Sequence, residues 1–233
     1  MDGAFYYWYA VVPRKFSGTG PLLASKSSFP PLSAEATDDL SAIVSPWPAP
    51  HVNCDPTLVW QHAEIIEHLG DLTAHQVLPF RFGTVVTGDE LKTMMARHYD
   101  AWTKALKRLS GRMEMSLRVL WSPPLPSTPL APLASPYLTK RMQERAYDQT
   151  AREKAEPILR TIDQYLSPHY LDKSEKILQP PTVLLHGAYL VEKHEAPRFR
   201  HTIKAMMDEF TAMKWLCTGP WSPYHFVTEG RVP

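Results

Sequence analysis

"GRMEMSLRVLW", residues 111–121, decides how the chain is organised. From Met113 to Trp121 the side chains alternate. Met113, Met115, Leu117, Val119 and Trp121 share one side; Glu114, Ser116 and Arg118 share the other. Neighbouring side chains on a strand point to opposite faces, so the pattern predicts a half-buried strand. Gly111 separates it from a helix-patterned segment, and the Pro-rich run PPLPSTPLAPLASP (123–136) follows it. That run cannot be regular helix or central strand, and reads as a stiff connector or surface loop. The strand therefore opens a second half, with the boundary near Ser110–Arg112 and domains of 1–110 and 111–233.

Working back from residue 111, Leu91, Met94, Met95, His98, Trp102, Ala105, Leu106 and Leu109 trace one apolar helical stripe. Thr87 and Glu90 form a capping box at its start. "VLPFRFGTVV" (Val77–Val86) reads as extended, and alternation would put Phe80 and Phe82 on one face and Arg81 on the other. Asp55-Pro56 opens an earlier helix with Val59, Ala63, Ile66 and Leu69 inward, stopped by Gly70. Phe5–Val12 is an aromatic, β-branched strand covered on both faces. Residues 17–37 read as loop and Leu40–Val44 as a short strand.

Working forward, residues 138–166 read as a long helix with a narrow stripe of Tyr147, Ala151, Ala155, Ile158, Leu159, Ile162 and Leu166. It is expected to be part-buried and to project or pair in coiled-coil fashion. Asp148–Arg152, Arg152–Glu156 and Glu156–Arg160 have i,i+4 charge spacing, and Pro157 is expected to kink or divide the helix. Val183–Glu192 reads as a strand. A helix from Pro197 turns Phe199, Ile203, Met206 and Phe210 inward, and Lys214–Thr218 is a last strand. The fold class is α+β, with two α+β domains. The second resembles a ferredoxin-like βαββαβ layer lacking one recognisable strand.

Composition limits the function classes. The 233 residues are 44% hydrophobic, with a formal net charge of +1, so nothing points to electrostatic capture of nucleic acid. No apolar run is long enough to span a bilayer, and the start lacks the basic and cleavage features of a signal peptide. The two cysteines, Cys54 and Cys217, form no CxxC pair, which suits a reducing, cytoplasmic compartment. His62 and His68 fall on different helical faces, and no HExxH or Cys/His quartet occurs, so no metal or cofactor is expected. The carboxylate pairs Asp38-Asp39 and Asp89-Glu90 are explained by caps and turns. No catalytic set is found, and the chain is read as a non-enzyme.

Two stretches stand out. Within "LPFRFG", Arg81 is either a packed stem with a paired head or an interface arginine. Within "GPWSPYHF" (219–226), two prolines and three large aromatics either fold back to plug a core or dock another chain.

Together these stretches resemble the gas vesicle protein GvpF/GvpL family. "VLPFRFGTVV" is similar to its LPxRFGT segment and "TGPWSPYHFV" to its closing GPWPPYxF signature, with Ser222 where Pro is usual. "GRMEMSLRVLW" resembles its central strand, with Glu114 at a characteristic acidic position, and "AYLVEK" (188–193) its late YLV strand. The family-motif and partner-binding candidates are thus Phe80, Arg81, Phe82, Gly83, Glu114, Gly219, Pro220, Trp221, Pro223, Tyr224 and Phe226. The resemblance implies an accessory or minor structural protein that binds the shell protein GvpA and other accessory proteins during gas vesicle assembly. It also implies a place in the cytoplasm or on the vesicle, including its gas-facing surface. The competing readings are a small-molecule or redox enzyme on a ferredoxin-like scaffold, with His98, His186 or His225 in a pocket, and a scaffold acting through the 138–166 helix.

Overall fold

The computed structural model describes residues 4–17, 29–120, 136–178, 183–209 and 213–227. Apart from Pro136, the Pro-rich run lies outside these residues, as do Trp121 and Phe210 and the side chains of Tyr147 and Ala151. The chain forms two compact units. One comprises Met1–Glu114 with Trp221–Pro233, the other Met115–Pro220. The aromatic C-terminal segment, counted with the second half on sequence, thus groups with the first unit. Local sequence makes a segment rigid and apolar but does not choose which core it enters.

The first unit contains β1 (Phe5–Pro13), a single helical turn α1 (Arg14–Ser17), β2 (Ser33–Thr37), β3 (Leu40–Trp47), α2 (Pro56–Leu72), β4 (Leu78–Pro79), β5 (Val85–Thr87) and α3 (Gly88–Leu109). Its sheet has the order β2-β3-β1-β4, and β5 also pairs with β1. Central β1 is antiparallel to β3, β4 and β5. Both of its faces are covered. Tyr7 and Tyr9 meet His62 of α2, while Trp8 meets Trp102 of α3 edge-on at 5.7 Å. A strand buried on both faces needs no polar alternation, which is why Phe5–Val12 reads as continuously apolar.

The helix ends follow local chemistry. Asp55 caps α2, its Oδ1 accepting from Thr57 N–H at 2.7 Å, with Pro56 in the first turn. The Thr87–Glu90 capping box closes in both directions. Gly70 does not stop α2; the helix continues to Leu72, and Thr73 donates its hydroxyl to Leu69 O. The inward face of α2 also differs from the expected one. His62, Ile65, Ile66, Leu69 and Gly70 are buried, whereas Val59 is 38% exposed.

The second unit takes up β6 (Arg112–Leu120) from Met115 onward, followed by α4 (Pro136–Leu166), β7 (Asp172–Ile177), β8 (Val183–Glu192), α5 (Ala196–Glu209) and β9 (Lys214–Trp221). The sheet order β7-β8-β6-β9 is that of a ferredoxin-like layer. The strand missing on sequence is β7, which runs antiparallel to β8 from Asp172↔Leu190 to Ile177↔Leu185. In the first unit β2 was likewise read as loop. Both are polar outer strands, "SAEAT" and "DKSEKI". Edge strands avoid long apolar alternation because it would invite pairing with other chains, so they lack the usual strand signal.

Three further expectations change. On the polar side of β6 only Arg118 is solvated, since Glu114 and Ser116 are buried with partners. Of the two outcomes expected at Pro157, division does not occur, and α4 runs through it as one helix. Among the described residues, Arg152–Glu156 and Glu156–Arg160 do not close to ion-pair distance, as is common for exposed long side chains whose ordering entropy offsets a screened attraction.

Candidate functional site

The segment "FRFG" (80–83) is held by the elements on either side of it. β4 ends at Pro79, which has no N–H to continue a ladder, and the chain then turns. Thr84 donates both its backbone N–H and its hydroxyl to Arg81 O, and Gly83 takes the left-handed conformation at φ +85. Glycine is suited there because it has no Cβ to clash. This turn overturns the expectation that Phe80 and Phe82 share a face. Phe80 stacks on Trp8 at 4.3 Å and meets Trp102 at 5.8 Å, on the α3 side. Phe82 meets Tyr7 at 6.2 Å and His62 at 5.9 Å, on the α2 side.

One hydrogen-bonded chain grips both ends of the segment. Gly83 N–H donates to Tyr7 Oη at 3.0 Å. Tyr7 O–H donates to His62 Nδ1 at 2.9 Å, and His62 Nε2–H donates to Phe80 O at 3.2 Å. The directions follow because a carbonyl only accepts, which puts the single proton of neutral His62 on Nε2. Burial drives the His62 pKa down to about 4, against a smaller opposing effect of the Phe80 carbonyl bond. Burial likewise pushes the Tyr7 hydroxyl well above the usual tyrosine range. Both groups are therefore neutral hydrogen-bonding parts of the core.

Arg81 lies between these anchors. Its side chain is exposed and forms no ion pair among the described residues. The reading of a paired head is not what the geometry shows.

The C-terminal segment closes on the same unit. Tyr224 packs with Phe82 against the cluster containing Tyr7, Ile65, Ile66 and Leu69. Burial first, then the nearby Tyr7 and Glu114, pushes its hydroxyl above the usual range. Pro223 is buried and Phe226 is 3% exposed. Glu114, itself 4% exposed, accepts from His225 N–H at 2.9 Å and from His225 Nδ1–H at 2.7 Å. Arg108 of α3 donates to Phe226 O at 2.6 Å. Trp221 differs from its neighbours, being 47% exposed. Gly219 and Pro220 belong to the second unit, where Gly219 O accepts from Arg200.

Apart from Gly219 and Pro220, which lie in the second unit, the sequence-predicted residues fall into four sets. Phe82, Gly83 and Tyr224 join one cluster, and Phe80 lies on the other face of β1. Glu114 and Phe226 belong to the tail clamp, with Pro223 buried beside it in sequence. Arg81 and Trp221 remain exposed. Tyr7, His62 and Arg108 were missed. His62 carried a readable signal, three and four residues before Ile65 and Ile66 on the buried stripe. Nothing local marked Arg108.

The other candidate chemistry is accounted for structurally. His98 stacks on Trp102, and His186 Nε2 lies 3.1 Å from Ser116 Oγ. Cys54 is exposed, and burial raises the Cys217 thiol despite the opposing charge of Arg200, the reverse of what activates a nucleophile. Among the described residues no three His, Cys, Asp or Glu side chains converge as a metal site, and no helix is long and apolar enough to cross a membrane.

Comparison with known proteins places this geometry in context. The family described as gas vesicle synthesis protein GvpL/GvpF matches residues 5–228. Gas vesicle protein L of a Streptomyces species is 25% identical over 248 aligned residues, covering 94% of this chain and 91% of the relative. The crystal structure of GvpF from Anabaena superposes with a TM-score of 0.76 at 14% identity, covering 97% of this chain and 96% of that one. GvpF from Microcystis aeruginosa gives a TM-score of 0.74 at 17% identity, covering 96% and 99%. At these identities the two crystal structures speak to the fold alone.

Proposed function

The chain belongs to the GvpL/GvpF family of gas vesicle proteins, and from that membership we propose that it is a non-enzymatic assembly protein. In this reading it binds the shell protein GvpA and other accessory proteins in the cytoplasm and on the growing vesicle, including its gas-facing surface. One observation carries the proposal. Around the motif segments, the polar groups of Tyr7, His62 and Glu114 are spent on holding the chain together, while Arg81 and Trp221 face outward. Exposed Arg and Trp on a well-anchored backbone are typical of interface hot spots, because little conformational freedom remains to be lost on binding.

The test is co-expression of the full chain with the shell protein, followed by affinity capture. Wild type is expected to retain the shell protein. Trp221→Ala and Arg81→Glu are expected to lose capture while changing stability by less than about 1 kcal/mol, as for surface substitutions. Phe226→Ala removes a buried aromatic anchor and is expected to cost about 3 kcal/mol. No capture by wild type, together with normal vesicles in a deletion strain, would reject the reading.

A further inference from the structure

The N-terminal half of α2 exposes an apolar ridge. Pro56, Val59, Trp60 and Ala63 follow the i, i+3, i+4, i+7 spacing of one helical stripe. The stripe is not the buried one. Trp60 is 70% exposed and Val59 38%, whereas the core side of α2 carries His62, Ile65, Ile66 and Leu69. Trp60 has no hydrogen bond, ring contact or cation contact among the described residues. Half-buried α2 therefore has two apolar sides, and among the described residues of the first unit only one is buried.

The charge beside this ridge has one sign. Trp60, Glu64, Glu67 and Asp71 fall at i, i+4, i+7 and i+11, one continuous row along the helix, and all four are exposed. The three carboxylates form no ion pair among the described residues. The cause lies in the sequence: no Lys or Arg occurs between Lys26 and Arg81. The chain as a whole is close to neutral at +1, so this is a local segregation of charge. From Pro56 to Asp71 the helix rises through fifteen residues, a row roughly 22 Å long at 1.5 Å per residue.

We infer that this face of α2 is a docking surface for a partner segment that is apolar at one end and carries Lys or Arg along the rest. Its apolar side chains cover Trp60 and Val59, and its cations neutralise Glu64, Glu67 and Asp71. The charge pattern selects the occupant. An anionic or purely apolar segment leaves the three carboxylates repelled or desolvated without partners, whereas a cationic one satisfies them. The inference rests on the proposed assembly role and names the surface that serves it.

The experiment uses the full chain co-expressed with the shell protein, captured in low and high salt, with sedimentation of the chain alone. Trp60→Ser is expected to lower shell-protein capture about tenfold or more, the effect of losing an aromatic anchor. Glu64→Lys combined with Glu67→Lys is expected to lower it severalfold at low salt, with the deficit shrinking at high salt as charges are screened. Neither should shift the melting temperature by more than about 2 °C, since the positions are exposed. If Trp60→Ser alone fails to fold, the double charge reversal still decides. Capture by both variants equal to wild type overturns the inference and leaves the proposed function standing. Wild type that captures no shell protein removes both. A concentration-dependent dimer of the isolated chain that Trp60→Ser makes monomeric identifies the occupant as a second copy and overturns the partner assignment.

Discussion

The two sheets share a strand order, β2-β3-β1-β4 in the first unit and β7-β8-β6-β9 in the second, yet their polar chemistry sits in different places. In the first unit it lies at the centre, where His62 and Tyr7 bond under β1 and the C-terminal segment closes over them. In the second a neutral pair, Ser116 and His186, joins the inner strands, but the charged cluster lies at the edge. Lys173 of β7 reaches Asp163 at 2.7 Å and Glu175 at 3.2 Å, Tyr170 donates to Asp163, and Tyr189 O–H donates to Glu175 at 2.8 Å. Topology therefore does not decide where buried polarity goes. A central polar pair must be neutral and fully bonded, because a charge there would be desolvated. An edge cluster keeps its charges because water still reaches it.

The largest expected difference comes from removing packing at the first centre. Trp8 is fully buried between Phe80 and Trp102, and Trp8→Ala is expected to cost about 4 kcal/mol in urea unfolding. A cost under about 1 kcal/mol would mean that the stack is not a core.

Acid should separate the units next. The folded His62 pKa lies near 4, below the ordinary 6.5. Between those values the unfolded chain takes the proton and the folded chain does not, so stability is fully present above 6.5 and falls as pH drops toward 4. The loss is about 3 kcal/mol by pH 4. His62→Gln should flatten that slope in denaturant titrations at pH 7 and pH 4.5. An unchanged slope would move the acid sensitivity elsewhere. At the second unit's edge the sign reverses. Partial burial pulls the Lys173 pKa down, but the bonds to Asp163 and Glu175 raise it overall. Its contribution is present below the ordinary lysine value and is lost as pH rises above it.

Glu114→Gln comes third. Its amide can accept one of the two bonds from His225 but turns a donor toward the other, and the expected cost is about 2 kcal/mol. The C-terminal segment should then be cut faster in limited proteolysis. Equal cutting rates would show that Phe226 and Tyr224 hold the tail without it. Smallest is Lys173→Met, expected to cost under about 1 kcal/mol because the edge cluster is half-solvated. A cost matching that of Glu114→Gln would erase the contrast between centre and edge.

Much of the architecture was legible because it depends on local periodicity. The α3 stripe, both N-terminal caps, β8 and the apolar run of β1 all follow from spacing alone. β2 and β7 were not legible, because an outer strand is kept polar and its pairing is supplied by the neighbour. The motif residues were legible as a set but not in their roles. Phe80 and Phe82 go to opposite faces because Gly83 and the Thr84 bonds turn the chain between them. Val59 and Ile66 both match the apolar period of α2, yet only Ile66 is buried.

The amino-acid sequence by itself determined the α+β class, the N-terminal caps of α2 and α3 and the family, since these rest on periodicity, capping and short ordered motifs. The tertiary structure alone decided that the C-terminal aromatics group with the first unit, that Glu114 holds His225, and that Arg81, Trp60 and Trp221 stay outside. Those outcomes depend on pairs of residues far apart in the chain. A side chain's own neighbours set its conformation, but only the folded packing sets which partner satisfies it.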